Sequence, residues 1–301
     1  MKKKQSIHFI INPVSGIKRN EDLANLIEYN LDNSRYDYSY ALTEARGHAT
    51  QLAQQAVAKG IDIVVACGGD GTVNEVSEPL VHSKSALAII PAGSGNGFAM
   101  HIGMGRDAQK AIHKINDSTQ LCIDTCTVNG TYFLNLAGVG FDALVAYKAE
   151  HGGTKRGFGM YAQMVRKELL QYKAMQYQLQ LDDEVIAGKY SLIAIANAAM
   201  YGYNFNIAPG AKLTDGLLDI VLIKDAPLFR SLLSSWRMLN KSIYNSALVE
   251  VKRCKEAKIK LDAPYYYHID GESHTFDEML HFKIVPQSLN IQLPKERASA
   301  V

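Results

Sequence analysis

Three short glycine-rich stretches carry residue types that can hold phosphate. They are Asn12-Pro13-Val14-Ser15-Gly16, Gly68-Gly69-Asp70-Gly71-Thr72 and Gly93-Ser94-Gly95-Asn96-Gly97. Glycine at such turns lets backbone N–H groups approach phosphate oxygens, and a helix that starts there adds the positive end of its dipole. Asp70 alone would repel an anion. Its position makes sense if Mg²⁺ sits between the carboxylate and a nucleotide polyphosphate. The second stretch runs on into Val73-Asn74-Glu75. One Gly-Gly pair in isolation is simply a tight turn. Three such stretches, one of them joining Asp and Thr to a following Asn, point to phosphate. No Gly-Lys-Ser/Thr follows, so this is not a P-loop, and no Gly-x-Gly-x-x-Gly stands after the first apolar run, so it is not the dinucleotide fingerprint.

Such turns need rigid elements to hold them. An apolar run at 7–11 ends at Asn12-Pro13, after which Leu23, Leu26, Ile27 and Leu31 share one helical face. A second strand spans 36–42. Ala49, Leu52, Ala53, Ala56 and Val57 mark a helix that Gly60 closes. The run 61–66 is nearly all apolar, as a strand buried on both faces requires. A helix after Thr72 and a strand at 86–90 follow. Strands alternating with helices imply an α/β domain with a parallel sheet. In such sheets ligands bind at the carboxyl ends of the strands, where the three stretches fall.

The pattern changes near residue 118. Runs at 121–128 and 131–136 flank Asn129-Gly130, a two-residue hairpin signal. Further strand-like runs lie at 175–181, 190–196, 217–223, 257–261, 265–269 and 279–285, with Asp182-Asp183 and Asp270-Gly271 as turn chemistry. Helical stretches at 161–172 and 227–244 interrupt them. This half reads as an antiparallel, β-sandwich-like domain. The expected division is an α/β domain at 1–122, a β-rich domain at 123–287 and a C-terminal segment at 288–301. The alternating run 288–293 could return to the first domain.

Composition excludes several function classes. With 47% apolar and 21% charged residues the chain is globular, not disordered. Lys plus Arg (32) nearly balance Asp plus Glu (30), which gives no support to a nucleic-acid partner. Cys67, Cys122, Cys126 and Cys254 form no C-x-x-C pair and no disulfide framework. Met1-Lys2-Lys3-Lys4 leads into an apolar run too short for a signal peptide, and no apolar run approaches the roughly 18 residues of a membrane span. These features read as a soluble, cytoplasmic protein.

In this order, the stretches at Asn12, at Gly68 (with Asn74-Glu75) and at Gly93 resemble the catalytic domain of diacylglycerol and sphingosine kinases. Over nearly its whole length the chain is similar to the bacterial soluble lipid kinases. Gly-Gly-Asp-Gly-Thr is shared with NAD kinases and phosphofructokinases; the third stretch and Asp270-Gly271-Glu272 narrow the resemblance to lipid kinases. It implies an N-terminal nucleotide-binding domain of the NAD kinase and phosphofructokinase type. It also implies ATP as co-substrate, Mg²⁺, and γ-phosphoryl transfer to the hydroxyl of a diacylglycerol-like lipid.

The resemblance implies roles residue by residue. Asp70 is the essential carboxylate. Asn12, Pro13, Ser15, Gly16, Gly68, Gly69, Gly71, Thr72, Asn74 and Asn96 line the nucleotide, with Thr43 and Ser94 as further contacts. Glu272 accepts the proton of the lipid hydroxyl, with Asp270 supporting the metal or the base. A second Mg²⁺ is held by the Asp215 carboxylate and the carbonyls of Lys212 and Leu217. The Gly-Ser-Gly-Asn form is closer to sphingosine and ceramide kinases. A sphingoid base or another membrane alcohol therefore stays open as acceptor, as do NAD and a non-catalytic lipid- or nucleotide-binding role. The expected partner is a membrane lipid reached from the inner membrane surface, with no nucleic acid and no obligate protein partner; a homodimer is open.

Without the resemblance, Asp270-Gly271 is a hairpin turn and 212–217 an ordinary loop before a strand. Lys252, Arg253, Lys255, Lys258 and Lys260 are a solvated strand face, or else a patch for anionic lipid. Asp124 divides evenly between a site role and a simple hydrogen bond. His48 reads as a helix-start or packing residue, and Cys122 and Cys126 as buried and inert.

Overall fold

The computed structural model describes residues 3–16, 20–93, 95–151, 158–202, 205–226, 236–261, 265–276 and 278–298. They form two compact units, 1–125 with 286–301, and 126–285. The chain leaves the first unit within one strand, β5 (Ser118–Val128), and returns within another, β15 (Met279–Pro294).

In the first unit β1 (Gln5–Ile11) lies between β2 (Tyr36–Leu42) and β3 (Ile63–Gly68), and β3 pairs with β4 (Ala86–Pro91), all parallel. The end of β15 adds a fifth parallel strand, with Asn290 opposite Ala86. Every residue of β3 and β4 is buried, which follows from helices covering both sheet faces. The helices are α1 (Asn20–Asn30), α2 (His48–Ala58), α3 (Asp70–Ser77), the short α4 (Gly97–His101) and α5 (Ala108–Asn116). Asp107 caps α5, its carboxylate accepting the Lys110 N–H at 2.8 Å. The parallel sheet and its strand positions are those the sequence implies; α4 and α5 were not foreseen.

The second unit is antiparallel. Its longest strand, β9 (Glu184–Ala196), pairs with β8 (Met175–Leu181) over its first half. Over its second half it lies between β7 (Leu136–Gly140) and β10 (Leu218–Lys224). Outside these lie β11 (Val249–Cys254) on β10, β12 (Glu256–Lys260) on β8, and β13 (Tyr265–Ile269) with β14 (Glu272–Phe276) on β7. One face of these strands forms a core with Phe133 and Phe282 edge to face at 6.4 Å, and Leu136, Ala194 and Val221 on β7, β9 and β10 pack a second cluster with Ile207 and Ala208. Two tight turns, Asn129-Gly130 and Asp270-Gly271, have both central residues at positive φ, and Asp182-Asp183 has its first. Asn, Asp and Gly are the residues that tolerate this.

Two helices interrupt the strands, α6 (Phe141–His151) and α7 (Phe158–Leu169). The hairpin at Asn129-Gly130 forms, but β6 (Thr131–Phe133) is shorter than expected and the chain departs at 134–135 to start β7. Of the helix expected at 227–244, residues 227–235 lie outside the described residues; the described part is helical at 236–239 and stops there, with only a 3-10 turn at Ile243–Asn245 beyond.

Candidate active site

Strands β1, β3 and β4 are adjacent and parallel, so the loops that follow them meet at one sheet edge. Asn12 ties the first loop to the second: its Nδ2 donates to Thr72 Oγ1 at 3.0 Å. Within its own loop Asn12 Oδ1 accepts the Val14 N–H, and its carbonyl accepts the Ser15 hydroxyl at 2.7 Å. The first loop also reaches the strand below the third, because a Cβ on Gly16 would stand 2.4 Å from the Ala92 carbonyl oxygen. Between the second and third loops the approach is closer still. A Cβ on Gly93 would lie 2.5 Å from Gly69 Cα, so Gly93 requires glycine, while a Cβ on Gly69 would be tight at 3.2 Å from Gly93 Cα.

Asp70 opens α3 and is turned onto the third loop. Its Oδ2 accepts the Asn96 N–H at 2.8 Å, and the nearby amides of Gly97 and Phe98 further favour its charged form. Asn96 is in the left-handed region (φ 53°) and closes its loop on itself, donating to the Gly93 carbonyl and accepting the Gly93 N–H. Burial pushes Asp70 above the usual carboxylate range, and the three amides pull against that push. The start of α3 has no side-chain cap, which leaves its first-turn amides available to an anion. Glycine cradles, a bare helix start and a hydroxyl at Thr72 fit a nucleotide polyphosphate. Asp70 spends much of its charge on the third loop, so a Mg²⁺ there would lean on phosphate oxygens and water as well, as that ion commonly does.

Thr43 follows β2 at the same edge, its N–H donating to the Ile11 carbonyl at 2.9 Å. The loop after it is held by Glu75, which the sequence marks only as a neighbour of Asn74. Glu75 accepts the amides of Gly47 (3.0 Å) and Ala49 (3.3 Å), while its carbonyl accepts the Thr50 hydroxyl. The carboxylate of α3 thus serves as the missing cap of α2, whose own N-cap is Gly47 at φ 80°. His48 stands at that helix start and accepts the Glu44 N–H on Nδ1. Asn74 lies half-buried on α3 and its carbonyl accepts the Ser77 hydroxyl. Ser94 lies outside the described residues.

Asp270 and Glu272 belong to the second unit, at the turn between β13 and β14. Asp270 accepts three consecutive backbone amides: Leu134 on Oδ2 at 3.1 Å, and Asn135 and Leu136 on Oδ1 at 3.1 and 2.8 Å. Its own N–H donates to the Leu136 carbonyl at 2.7 Å. A carboxylate so committed fixes the turn and the start of β7. Glu272 is half-buried at the first position of β14, opposite Ile269. Two residues before Asp270, on β13, His268 makes a contact that the sequence does not reveal. Its Nε2 meets Asp142 Oδ2 at 2.9 Å, and Tyr201 donates its hydroxyl to the same oxygen at 2.7 Å. Gly138 makes room, since a Cβ there would come within 2.3 Å of that oxygen.

The 212–217 loop also lies in the second unit. Asp215 Oδ1 accepts the Leu217 N–H at 3.2 Å and Oδ2 faces Arg253 at 3.5 Å. Arg253 also holds Asp219 (Nε to Oδ1, 3.1 Å) and the Gly210 carbonyl. Asp219 is buried with Oδ2 unpartnered; burial, and further the Asp215 charge, push it upward against the pull of Arg253. Two carboxylates to one guanidinium, one carboxylate oxygen unpaired and carbonyls nearby make a hard-oxygen environment of the kind Mg²⁺ takes. No three His, Cys, Asp or Glu side chains gather among the described residues, so such an ion would depend on the Lys212 and Leu217 carbonyls and on water.

Three of the five residues of the basic run pair with acids. Lys252 meets Glu184 at 2.7 Å and also Glu250, Lys258 meets Glu256, and Arg253 bridges Asp215 and Asp219. Asp124, buried in β5, accepts the Gln287 N–H at 2.8 Å. Cys126 is buried, but Cys122 is only half-buried, which corrects the expectation for that residue.

Two substitutions test this geometry through stability. Burial raises Asp70 above its unfolded value, so its contribution to stability is complete below about pH 4 and is lost as pH rises through the folded value. In thermal melts Asp70→Asn should therefore gain on the wild type as pH rises from about 4 toward neutrality; a constant or shrinking difference would contradict this reading. Asp270→Ala strands three amides, each costing about 1–3 kcal/mol. It should lower the urea midpoint markedly, with Asp270→Asn in between; an unchanged midpoint would show that the turn does not depend on that carboxylate.

The family model described as "Diacylglycerol kinase catalytic domain" matches residues 6–128. A second, "YegS C-terminal NAD kinase beta sandwich-like domain", matches residues 135–293. A diacylglycerol kinase of Bacillus subtilis (strain 168) is 27% identical over 297 residues, 96% of each chain. One of Staphylococcus haemolyticus (strain JCSC1435) is 30% identical over 230 residues, 75% of this chain and 69% of the other. The solved structure of a diacylglycerol kinase from Bacillus anthracis str. Sterne shares the fold, with a TM-score of 0.77 at 20% identity over 98% and 99% of the two chains. The chain belongs to the diacylglycerol kinase-like family of lipid kinases, with a YegS-type C-terminal domain.

Proposed function

We propose that this protein transfers the γ-phosphoryl group of ATP to the hydroxyl of a diacylglycerol-like lipid, working in the cytoplasm at the inner membrane surface. The observation that carries the reading is the convergence of three glycine-built loops on one parallel-sheet edge, with Asp70 bonding the second to the third. Phosphoryl transfer is chiefly a matter of position and charge, because the protein has little covalent chemistry to perform. The first-turn amides of α3 and the loops at Asn12 and Gly93 hold the polyphosphate, and the Thr43 segment, pinned by Glu75, contacts the nucleotide. Mg²⁺ when bound supplies charge neutralisation at the phosphate oxygens. Glu272 takes the proton from the attacking hydroxyl. Asp270 is assigned to positioning, since its carboxylate is committed to three amides. Asp215, with the carbonyls of Lys212 and Leu217, holds a structural Mg²⁺. Family membership and the names of relatives support a lipid acceptor.

The test is label transfer from γ-labelled ATP, with Mg²⁺, to a total lipid extract. The wild type should yield a labelled, solvent-extractable product that co-migrates with phosphatidic acid. Asp70→Asn should yield none. Glu272→Gln should lower kcat by about 10²–10⁴-fold with KM for ATP little changed. Label appearing in another lipid would move the acceptor, and label in added NAD with none in lipid would overturn the substrate class.

A further inference from the structure

The chain has one tryptophan, Trp236, and it is 64% exposed. It lies in the helical residues 236–239, where the Asn240 N–H bonds back to its carbonyl. Leu239, three residues on and so on the same side of the turn, is 43% exposed. The turn itself is well seated. Met238 packs inward against the cluster around Ile207, Ala208 and Val221, its carbonyl accepts the Asn206 N–H at 3.0 Å, and Arg237 donates to the Asn245 carbonyl at 2.7 Å. A fixed base thus presents a large aromatic and an aliphatic side chain to solvent.

The charge around this turn is one-sided. No Asp or Glu occurs between Asp225 and Glu250, whereas Arg237 and Lys241 flank the exposed pair. This contrasts with Lys252 and Lys258 on the neighbouring run, whose charges are cancelled by Glu184, Glu250 and Glu256. Trp has an apolar body with one N–H, which suits the headgroup boundary of a bilayer better than water or the hydrocarbon interior. Basic residues beside it favour an anionic leaflet.

We infer that the Trp236–Leu239 turn is a membrane-docking surface, inserting Trp236 and Leu239 at the headgroup level of an anionic bilayer with Arg237 and Lys241 against the lipid phosphates. The inference rests on the lipid-kinase reading for its purpose, and it assigns the bilayer contact to this turn and not to the basic strand face. A second copy of the chain is the rival occupant.

Because Trp236 is the only tryptophan, its emission reports on this turn alone. The full-length protein is titrated without ATP with vesicles of phosphatidylglycerol and phosphatidylcholine, some carrying bromine on the acyl chains. The expected result is a blue shift with quenching by the brominated lipid, weaker at high salt and absent with phosphatidylcholine alone. Leu239→Ser should weaken partition about tenfold, whereas Lys252→Gln should not change it. Activity of Leu239→Ser on a short-chain diacylglycerol dispersed in detergent should equal the wild type, which separates docking from catalysis. No shift and no quenching, alongside normal activity on the dispersed lipid, would overturn the inference and leave the kinase reading intact. A vesicle-independent shift that grows with protein concentration would also overturn it, in favour of self-association. Insertion with no phosphorylation of any lipid would uphold the docking surface and overturn the kinase reading.

Discussion

The Asp70 carboxylate, bonded to the Asn96 amide and faced by those of Gly97 and Phe98, is the interaction on which the glycine-loop edge depends. It joins two loops that belong to different strands and does so at van der Waals contact, Gly69 against Gly93. The parallel order of β1, β3 and β4 puts those loops side by side, and the full burial of β3 and β4 makes the edge rigid. Asn12 bonded to Thr72, and Glu75 bonded to Gly47 and Ala49, extend the same logic outward. Each link is a polar side chain satisfying backbone or hydroxyl groups that would otherwise stay unpaired near the sheet edge. Burial of the Asp70 carboxyl works against stability, as is common where function requires a charge in a dry place.

The second unit repeats the device with a different carboxylate. Asp270 gathers the amides of Leu134, Asn135 and Leu136, which fixes where β7 begins and where the β13–β14 turn points. The consequence is a division of labour within Asp270-Gly271-Glu272. One carboxylate is consumed in shaping backbone while the next stands at the start of β14. The Asp142, His268 and Tyr201 cluster lies beside that turn, on β13, and braces α6 against that strand.

Much of this was legible in sequence, for physical reasons. A buried parallel strand must be apolar throughout, and 61–66 is; a hairpin with positive φ must carry Asn, Asp or Gly, and Asn129-Gly130 and Asp270-Gly271 do. Glycine at 16, 69 and 93 announces close backbone approach before any partner is known. What escaped was long-range. Glu75 caps a helix that begins 27 residues earlier at His48, and nothing near Glu75 names that helix. His268 looks like a strand residue until α6 brings Asp142 beside it. β11 and β14 were hidden because their exposed faces are charged or polar, so the alternation that reveals a strand was masked by Lys, Arg and Glu on one and by Ser, His and Thr on the other. β15 was read as two runs because Pro286 and Gln287 interrupt a strand that continues through them.

The central claim is that three loops at one sheet edge act together as a nucleotide site. Amide hydrogen exchange, compared with and without ATP and Mg²⁺, tests it most directly. The account predicts slowed exchange together in peptides covering 12–16, 69–73 and 93–98, and loss of that joint protection in Gly93→Ala, where a methyl group would collide with Gly69. Protection confined to one loop, or nucleotide-dependent protection that leaves this edge unchanged, would contradict it.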